Sequence, residues 1–375
     1  MPHFLLRSGL PAALLCLAAG TASAAALFPT SQALTLAQVA GEGGRRHTLL
    51  LSREQGEAVL AVDLSAVLDS YPRDALDLLR QHGFEGLLVR AGQGKTRPYA
   101  RQALLPSAYA DRHVAAGTNY AAHAAEAAID EVFLFPKYGE PSAARGEYRL
   151  RPGELLDYEV ELCLRFDRDI RRPADLEAAH VGAFLCGDLS DRAELLRRID
   201  TRDVASGRGF TDAKSGPGRL PTGPYLVVPR DWRQWLHGVR LRTEVDGQPR
   251  QDASAGAMLK GPEALLRQAL AQAESRQWRY QGQAVSLLEG GVLAQGQVLL
   301  TGTPEGVIYR TPGLAYRAWK GLLWGLSLGF LRQDLVPYVL QSYIDESLAA
   351  RRYLQPGQLL RHSAEGLGEI ELRIR

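Results

Sequence analysis

Two carboxylates stand two residues apart in Leu156-Asp157-Tyr158-Glu159-Val160-Glu161-Leu162, just after a Pro152-Gly153 turn. On a strand, positions i and i+2 share a face. Glu159 and Glu161 would then face one way, and Val160 and Leu162 the core. Two like charges side by side repel unless a proton or a cation sits between them. Paired oxygens of this kind suit a hard divalent cation. Taken alone, an E-x-E pattern is more often a solvated polar face. Asp188 ends the apolar run Phe184-Leu185-Cys186-Gly187, where an acid is a turn former or a ligand with about even odds. His123 and Glu126 are spaced i, i+3, so they meet on one helix face. A carboxylate beside an imidazole makes a base that can activate water, although a surface His–Glu pair is the commoner finding. Lys214 could anchor a substrate carboxylate or a developing oxyanion; alone it reads as a surface lysine. Thr303, in Thr301-Gly302-Thr303-Pro304-Glu305-Gly306, lies in a tight loop after an apolar strand.

The elements that must position these groups are mostly strands. Short apolar runs at Tyr158–Phe166, Val181–Leu185, Tyr225–Val228, Arg240–Val245, Val298–Thr301 and Glu369–Ile374 alternate with Gly and Pro turns. One helix is expected over Gly261 to Ala273. Ahead of them, residues 25–103 read as a small α/β unit. It has strands at Thr48–Ser52 and Ala58–Leu64 and a helix from Tyr71 to His82 that stops at Gly83. Residues 104–375 form the main unit, interrupted at 309–352 by the apolar stretch WKGLLWGLSLGFL (319–331) with Arg317, Lys320 and Arg332 around it. That stretch is too short to span a bilayer. It suits a helical hairpin that lids the site, builds a dimer contact or lies on a membrane surface. Burial against the protein itself is the favoured alternative.

The order and wording of the motifs say more than each does alone. NYAAHAAE (119–126), LDYEVEL (156–162), GDLSDR (187–192), the DAKS and PTGPYLV run (212–227), LRTEVDGQPRQDAS (241–254), LLTGTPEGV (299–307) and YLQPGQLL (353–360) together resemble the catalytic domain of the fumarylacetoacetate hydrolase superfamily. The resemblance implies an α+β, mainly β fold, a mixed β-sandwich or roll, with the small N-terminal α/β domain before it. It also implies one Mg²⁺ or Mn²⁺, with Ca²⁺ possible, on Glu159, Glu161 and Asp188. His123 and Glu126 would be the water-activating pair and Lys214 a catalytic contact. Thr303, Tyr120 and Arg192 would bind a small carboxylate substrate. The expected reaction is hydrolysis of a C–C bond in a β-dicarbonyl or 2-oxo acid through a stabilised enolate. Decarboxylation, isomerisation or hydration by the same chemistry is the alternative. A homodimer is implied as well. The family's pattern is departed from at Gly187, where Asn is usual before the ligand Asp, at Gly216-Pro217, and at Glu305, where Gly is usual.

Other readings compete. Gly325-Leu326-Ser327-Leu328-Gly329 matches a nucleophile elbow, with Asp345 and His362 following in the order of a serine hydrolase, but the surrounding βαβ pattern is missing. An inactive binding protein with the same fold is a third class. Gly92-Gln93-Gly94-Lys95-Thr96 imitates the end of a phosphate loop without its earlier glycine. A formal net charge of +2 spread along the chain argues against a nucleic-acid partner. Residues 1–24 carry Arg7, an apolar run and Ala22-Ser23-Ala24, the layout of an export signal, so a periplasmic location is expected. If the two ligand strands pair antiparallel with Asp188 facing Glu161, Cys186 faces Cys163. A disulfide is then within reach.

Overall fold

The computed structural model describes residues 27–375 apart from 130 and 274; the expected export signal lies outside them. A ten-stranded sheet forms the centre. From one edge its strands are Thr96–Ala100, Ala58–Asp63, Arg46–Gln55, Ala33–Ala40 and Leu226–Pro229. It continues through Val181–Gly187, Val160–Phe166, Leu299–Leu300, Arg112–Gly117 and Phe133–Tyr138. A second, five-stranded sheet runs Gln248–Ser254, Arg240–Val245, Leu359–Ala364, Gly368–Ile374 and Arg145–Tyr148. The Val160–Phe166 and Val181–Gly187 strands are buried along their whole lengths. Strands covered on both faces are apolar nearly throughout, so the charged residues at their ends stand out.

The architecture is α+β with sheets dominant, as expected. The leading unit is not set apart: Ala33–Ala40 pairs antiparallel with Leu226–Pro229, so its strands extend the same sheet as the main unit. The expected boundary at 103/104 therefore falls within one continuous layer. The leading helix starts at Ala75 and is interrupted at Gly83, as expected: the φ of +68° and ψ of 171° there are not helical, and a second helical stretch continues to Ala91. The helix expected over Gly261 to Ala273 forms at Pro262–Gln272, and the main unit carries further short helices. They include Ala121–Ala127, Arg192–Arg198 and Phe210–Lys214, and each brings a site residue. The 309–352 stretch is a hairpin of the helices Leu314–Leu326 and Leu335–Ala349. No helix among the described residues is long and apolar enough to cross a membrane.

The Cys163–Cys186 bond forms, with the Cα atoms 5.9 Å apart, but not in the expected register. Cys186 faces Glu161 and Cys163 faces Phe184, so the bridge runs diagonally. Asp188 consequently lies opposite Glu159, whose carbonyl accepts from the Asp188 amide at 2.8 Å.

Candidate active site

Glu161 sits inside its strand, and Glu159 lies just before it, where the chain bends between Leu156–Asp157 and Val160–Phe166. Asp188 caps the neighbouring strand. All three are buried, and they offer oxygens within 4.8 Å of one another. Buried charges are costly unless paired, and here they are paired asymmetrically. Lys214 Nζ, from the Phe210–Lys214 helix, lies 2.6 Å from Glu159 and 2.9 Å from Asp188. Arg192 donates to Glu159 at 2.6 Å and to Asp157 at 2.8 Å. Lys137 Nζ donates to the other Asp188 oxygen at 2.8 Å. Burial alone would raise the Glu159 pKa, but Lys214 and Arg192 overcome that and hold it down at about 2.

Among the described residues, Glu161 has no cation paired with it. Its Oε2 accepts from the Gly302 amide at 2.7 Å, but its Oε1 is buried without a hydrogen-bond partner among the described residues. Burial, then Asp188 and Glu159, push its pKa well above the ordinary carboxylate range. A buried carboxylate oxygen without a partner calls for either a proton or a cation. An oxygen-only donor set fits a hard divalent cation.

The Ala121–Ala127 helix brings His123 to the same site. Asn119, just before it, bonds the Thr301 carbonyl at 2.8 Å and both the carbonyl and the amide of Lys260, tying the helix entry to two distant segments. His123 Nδ1 faces Glu126 at 3.5 Å, the outer limit of a hydrogen bond. Glu126 is fixed from its other side by the Gly306 amide at 3.1 Å and by Arg310 at 2.9 Å. Burial opposes its ionisation, yet His123, Gly306 and Arg310 together keep its pKa below the usual value. Gly306 (φ +98°) must be glycine here: a Cβ would come 2.1 Å from the Arg250 carbonyl oxygen.

The remaining expected residues are also nearby, with particular attachments. The Tyr120 hydroxyl is buried without a partner among the described residues. Burial, followed by the Glu161 and Glu305 charges, raises its pKa. The Thr303 hydroxyl donates to the Val160 carbonyl at 2.9 Å and accepts from Gln251, so its proton is committed to the fold. Arg192 heads a helix capped by Asp191, which accepts from the Ala193 and Glu194 amides. His123, Glu159, Arg192, Lys214 and Thr303 line one cavity of about 450 Å³.

Sequence reasoning missed Lys137, Asp157, Arg310 and Gln251. A lysine inside the apolar run Phe133-Leu134-Phe135-Pro136-Lys137 was a usable signal, since a strand buried on both faces has no solvent for it. The departure at Gly187 has a steric cause. A Cβ there would meet Pro221 at 2.9 Å and the His362 ring at 3.2 Å, leaving no room for an asparagine.

The serine-hydrolase constellation does not assemble. Ser327 follows a helix rather than a strand and bonds the Trp324 carbonyl. Asp345 accepts from Gln341. The buried His362 pairs with Thr243 at 2.8 Å.

The model of the fumarylacetoacetate (FAA) hydrolase C-terminal family matches residues 112–375. Mitochondrial oxaloacetate tautomerase FAHD1 of Homo sapiens is 28% identical over 203 residues, covering 52% of this chain and 80% of that protein. The Rattus norvegicus protein of the same name is 29% identical over 205 residues, with the same coverage. Among solved structures, the fumarylacetoacetate hydrolase of Exiguobacterium antarcticum superposes with a TM-score of 0.55 at 20% identity, covering 91% of this chain and 99% of that one. A 2-hydroxyhepta-2,4-diene-1,7-dioate isomerase from Mycobacterium marinum gives 0.53 at 18% identity, covering 91% and 98%. At these identities the structures establish the fold alone, while the relatives themselves are enzymes: a hydrolase, an isomerase and tautomerases. The buried carboxylate triad, the His–Glu pair beside it and the family match across 112–375 together show that this chain belongs to the fumarylacetoacetate hydrolase family.

Proposed function

We propose that the chain is a divalent-metal-dependent hydrolase that cleaves the C–C bond of an acylpyruvate-type β-dicarbonyl acid. The observation that carries this reading is the orphaned Glu161 Oε1 inside a buried triad whose Glu159 lines one cavity with His123. Glu159, Glu161 and Asp188 would hold Mg²⁺ or Mn²⁺. When bound, the cation supplies Lewis-acid stabilisation of the oxygens on which negative charge develops.

The chain's own groups do the rest. His123, its Nδ1 turned to Glu126, keeps Nε2 to take a proton from water. The water oxygen adds to the acyl carbonyl carbon. The bond between that carbon and the central CH₂ breaks, and its electron pair passes to the enolate of pyruvate. Return of a proton to the former CH₂ carbon of that enolate gives pyruvate, and the acyl carbon leaves as the free acid. Lys214, held by Glu159 and Asp188, offers positive charge to the substrate's oxygens. Without water addition, the same base would only move a proton along the substrate. That is the tautomerase reading, favoured by the names of the curated relatives. Product analysis separates the two.

The test is to strip the metal, then assay acylpyruvates and oxaloacetate with and without Mg²⁺ or Mn²⁺. Metal-restored cleavage is expected. Glu159→Ala and His123→Ala should each lower kcat by about a hundredfold or more, and only Glu159→Ala should lose the metal. Full activity in both variants would sink the assignment. The reading includes export, supported by the Cys163–Cys186 bond, since such bonds persist in oxidising compartments.

A further inference from the structure

The cavity that begins at Glu159, His123 and Lys214 does not end in polar groups. It continues to a wall made by Leu196, Ile199 and Val204 on one side and by Val336, Val339 and Leu340 of the hairpin on the other. The charged residues of its lining are His123, Glu159, Arg192, Lys214 and Arg317. Arg192 and Lys214 are committed to Asp157, Glu159 and Asp188, and Arg317 is exposed at the outer end. The apolar arm therefore holds no buried cation to receive a second carboxylate. A carboxylate pushed into it would lose its water without a partner.

The hairpin that closes this arm is also where unsatisfied apolar surface collects. Ten of the twelve exposed large hydrophobic side chains among the described residues lie between Leu314 and Leu348. Two of them, Leu335 and Val336, line the cavity while 38% and 49% exposed. Apolar side chains that face both a cavity and solvent are what an amphiphile with a polar head and a greasy tail would cover.

We propose that the substrate is a monocarboxylic β-dicarbonyl acid with an extended alkyl tail. Its oxo-acid head sits at the carboxylate triad, and its tail lies between the Arg192–Arg198 helix and the hairpin. This rests on the metal-dependent reading above and narrows its substrate class. Short diacids are correspondingly poor substrates.

The experiment is a chain-length series on the metal-loaded protein. Straight-chain acylpyruvates from acetyl to octanoyl, with oxaloacetate as the diacid, are compared by kcat/KM. In parallel, straight-chain 2-oxo acids of matching length are measured as ligands by calorimetry. Each methylene buried should raise kcat/KM and affinity about fourfold until the arm is full. Val336→Asp should flatten that slope. A flat series overturns the tail assignment and leaves the hydrolase reading standing, whereas preference for oxaloacetate, which has no acyl carbonyl for water to attack, overturns both the tail assignment and the hydrolase reading. No turnover of any member, with affinity still rising with length, overturns the hydrolase reading and keeps the apolar arm. No turnover with flat affinity overturns both.

Discussion

At the scale of single residues, the site is a set of buried charges paired unevenly. Glu159 and Asp188 have Lys214, Arg192 and Lys137 against them, whereas Glu161 has one amide and an orphaned oxygen. Glu161→Gln removes a carboxyl that the metal-free protein must either protonate or leave as an uncompensated charge, and both cost stability. The variant should therefore be more stable than the parent without metal, by about 1–3 kcal/mol, and should lose the metal's effect on Tm. The parent should gain about 2.7 kcal/mol at a hundredfold excess of Mg²⁺ over Kd. Thermal melts with and without Mg²⁺ check both, and a Mg²⁺-induced shift surviving in Glu161→Gln would rule out that carboxylate as a ligand.

Two histidines away from the base set an acid limit. Burial lowers the pKa of His113 to about 4 and that of His362 to about 3. In the unfolded chain both titrate near 6.5. Their folded values are depressed, so the unfolded state binds protons first as pH falls. The stability they contribute is present above pH ~6.5 and is lost progressively toward pH 4 and 3, at up to about 1.4 kcal/mol per pH unit for each. Denaturant midpoints between pH 7 and 4 should show this slope. His362→Gln should reduce it, and an unchanged slope in that variant would remove His362 from the account.

At the scale of elements, the buried carboxylates are held by pairs of strands and by short helices aimed at them. The Cys163–Cys186 bond joins the two central strands just below Glu161 and Asp188. Closing a loop of 23 residues in sequence separation is worth about 3 kcal/mol in the chain-entropy account. The double variant Cys163→Ala, Cys186→Ala should lose about that much stability and should bind the metal more weakly, because the ligand strands are then joined by the sheet's own bonds alone. Urea unfolding and a metal titration measure the two effects. Unchanged stability would mean that the bridge constrains nothing. The helix Arg192–Arg198 shows the other mode of positioning. Its Asp191 cap fixes the first turn, and that turn delivers Arg192 to Glu159 and Asp157.

At the scale of the whole molecule, the continuous ten-stranded sheet predicts one cooperative unit rather than two domains. Removing residues 27–103 would strip Ala33–Ala40 from Leu226–Pro229 and uncover the buried Val227 and Tyr225. Such a truncation should fail to fold, seen as insoluble expression or a lost cooperative melt. A soluble, cooperatively melting 104–375 fragment would restore the two-domain description. The hairpin Leu314–Ala349 is the opposite case. It packs through a small cluster around Tyr343 and Ile344, with Leu155 and Tyr353, and leaves much of its apolar surface outward.

The Glu159–Glu161 pair and the His123–Glu126 pair were legible in the sequence because their geometry is local. Strand periodicity puts i and i+2 together and helix periodicity puts i and i+3 together, so LDYEVEL and NYAAHAAE carry their own spatial meaning. The motif order then named the family. The tertiary structure decided what is set between distant segments. The register of the ligand strands is one example: a shift by two residues keeps every side chain on its face, so the pattern cannot distinguish the two pairings, and Asp188 came to lie opposite Glu159 rather than Glu161. The cations are another. Lys137 and Arg192 reach the triad across 51 and 33 residues of chain, and only packing shows that they neutralise Asp188 and Glu159 while leaving Glu161 open. The apolar arm belongs here too: nothing in residues 309–352 reveals which face of a hairpin meets the cavity until the Arg192–Arg198 helix is placed against it.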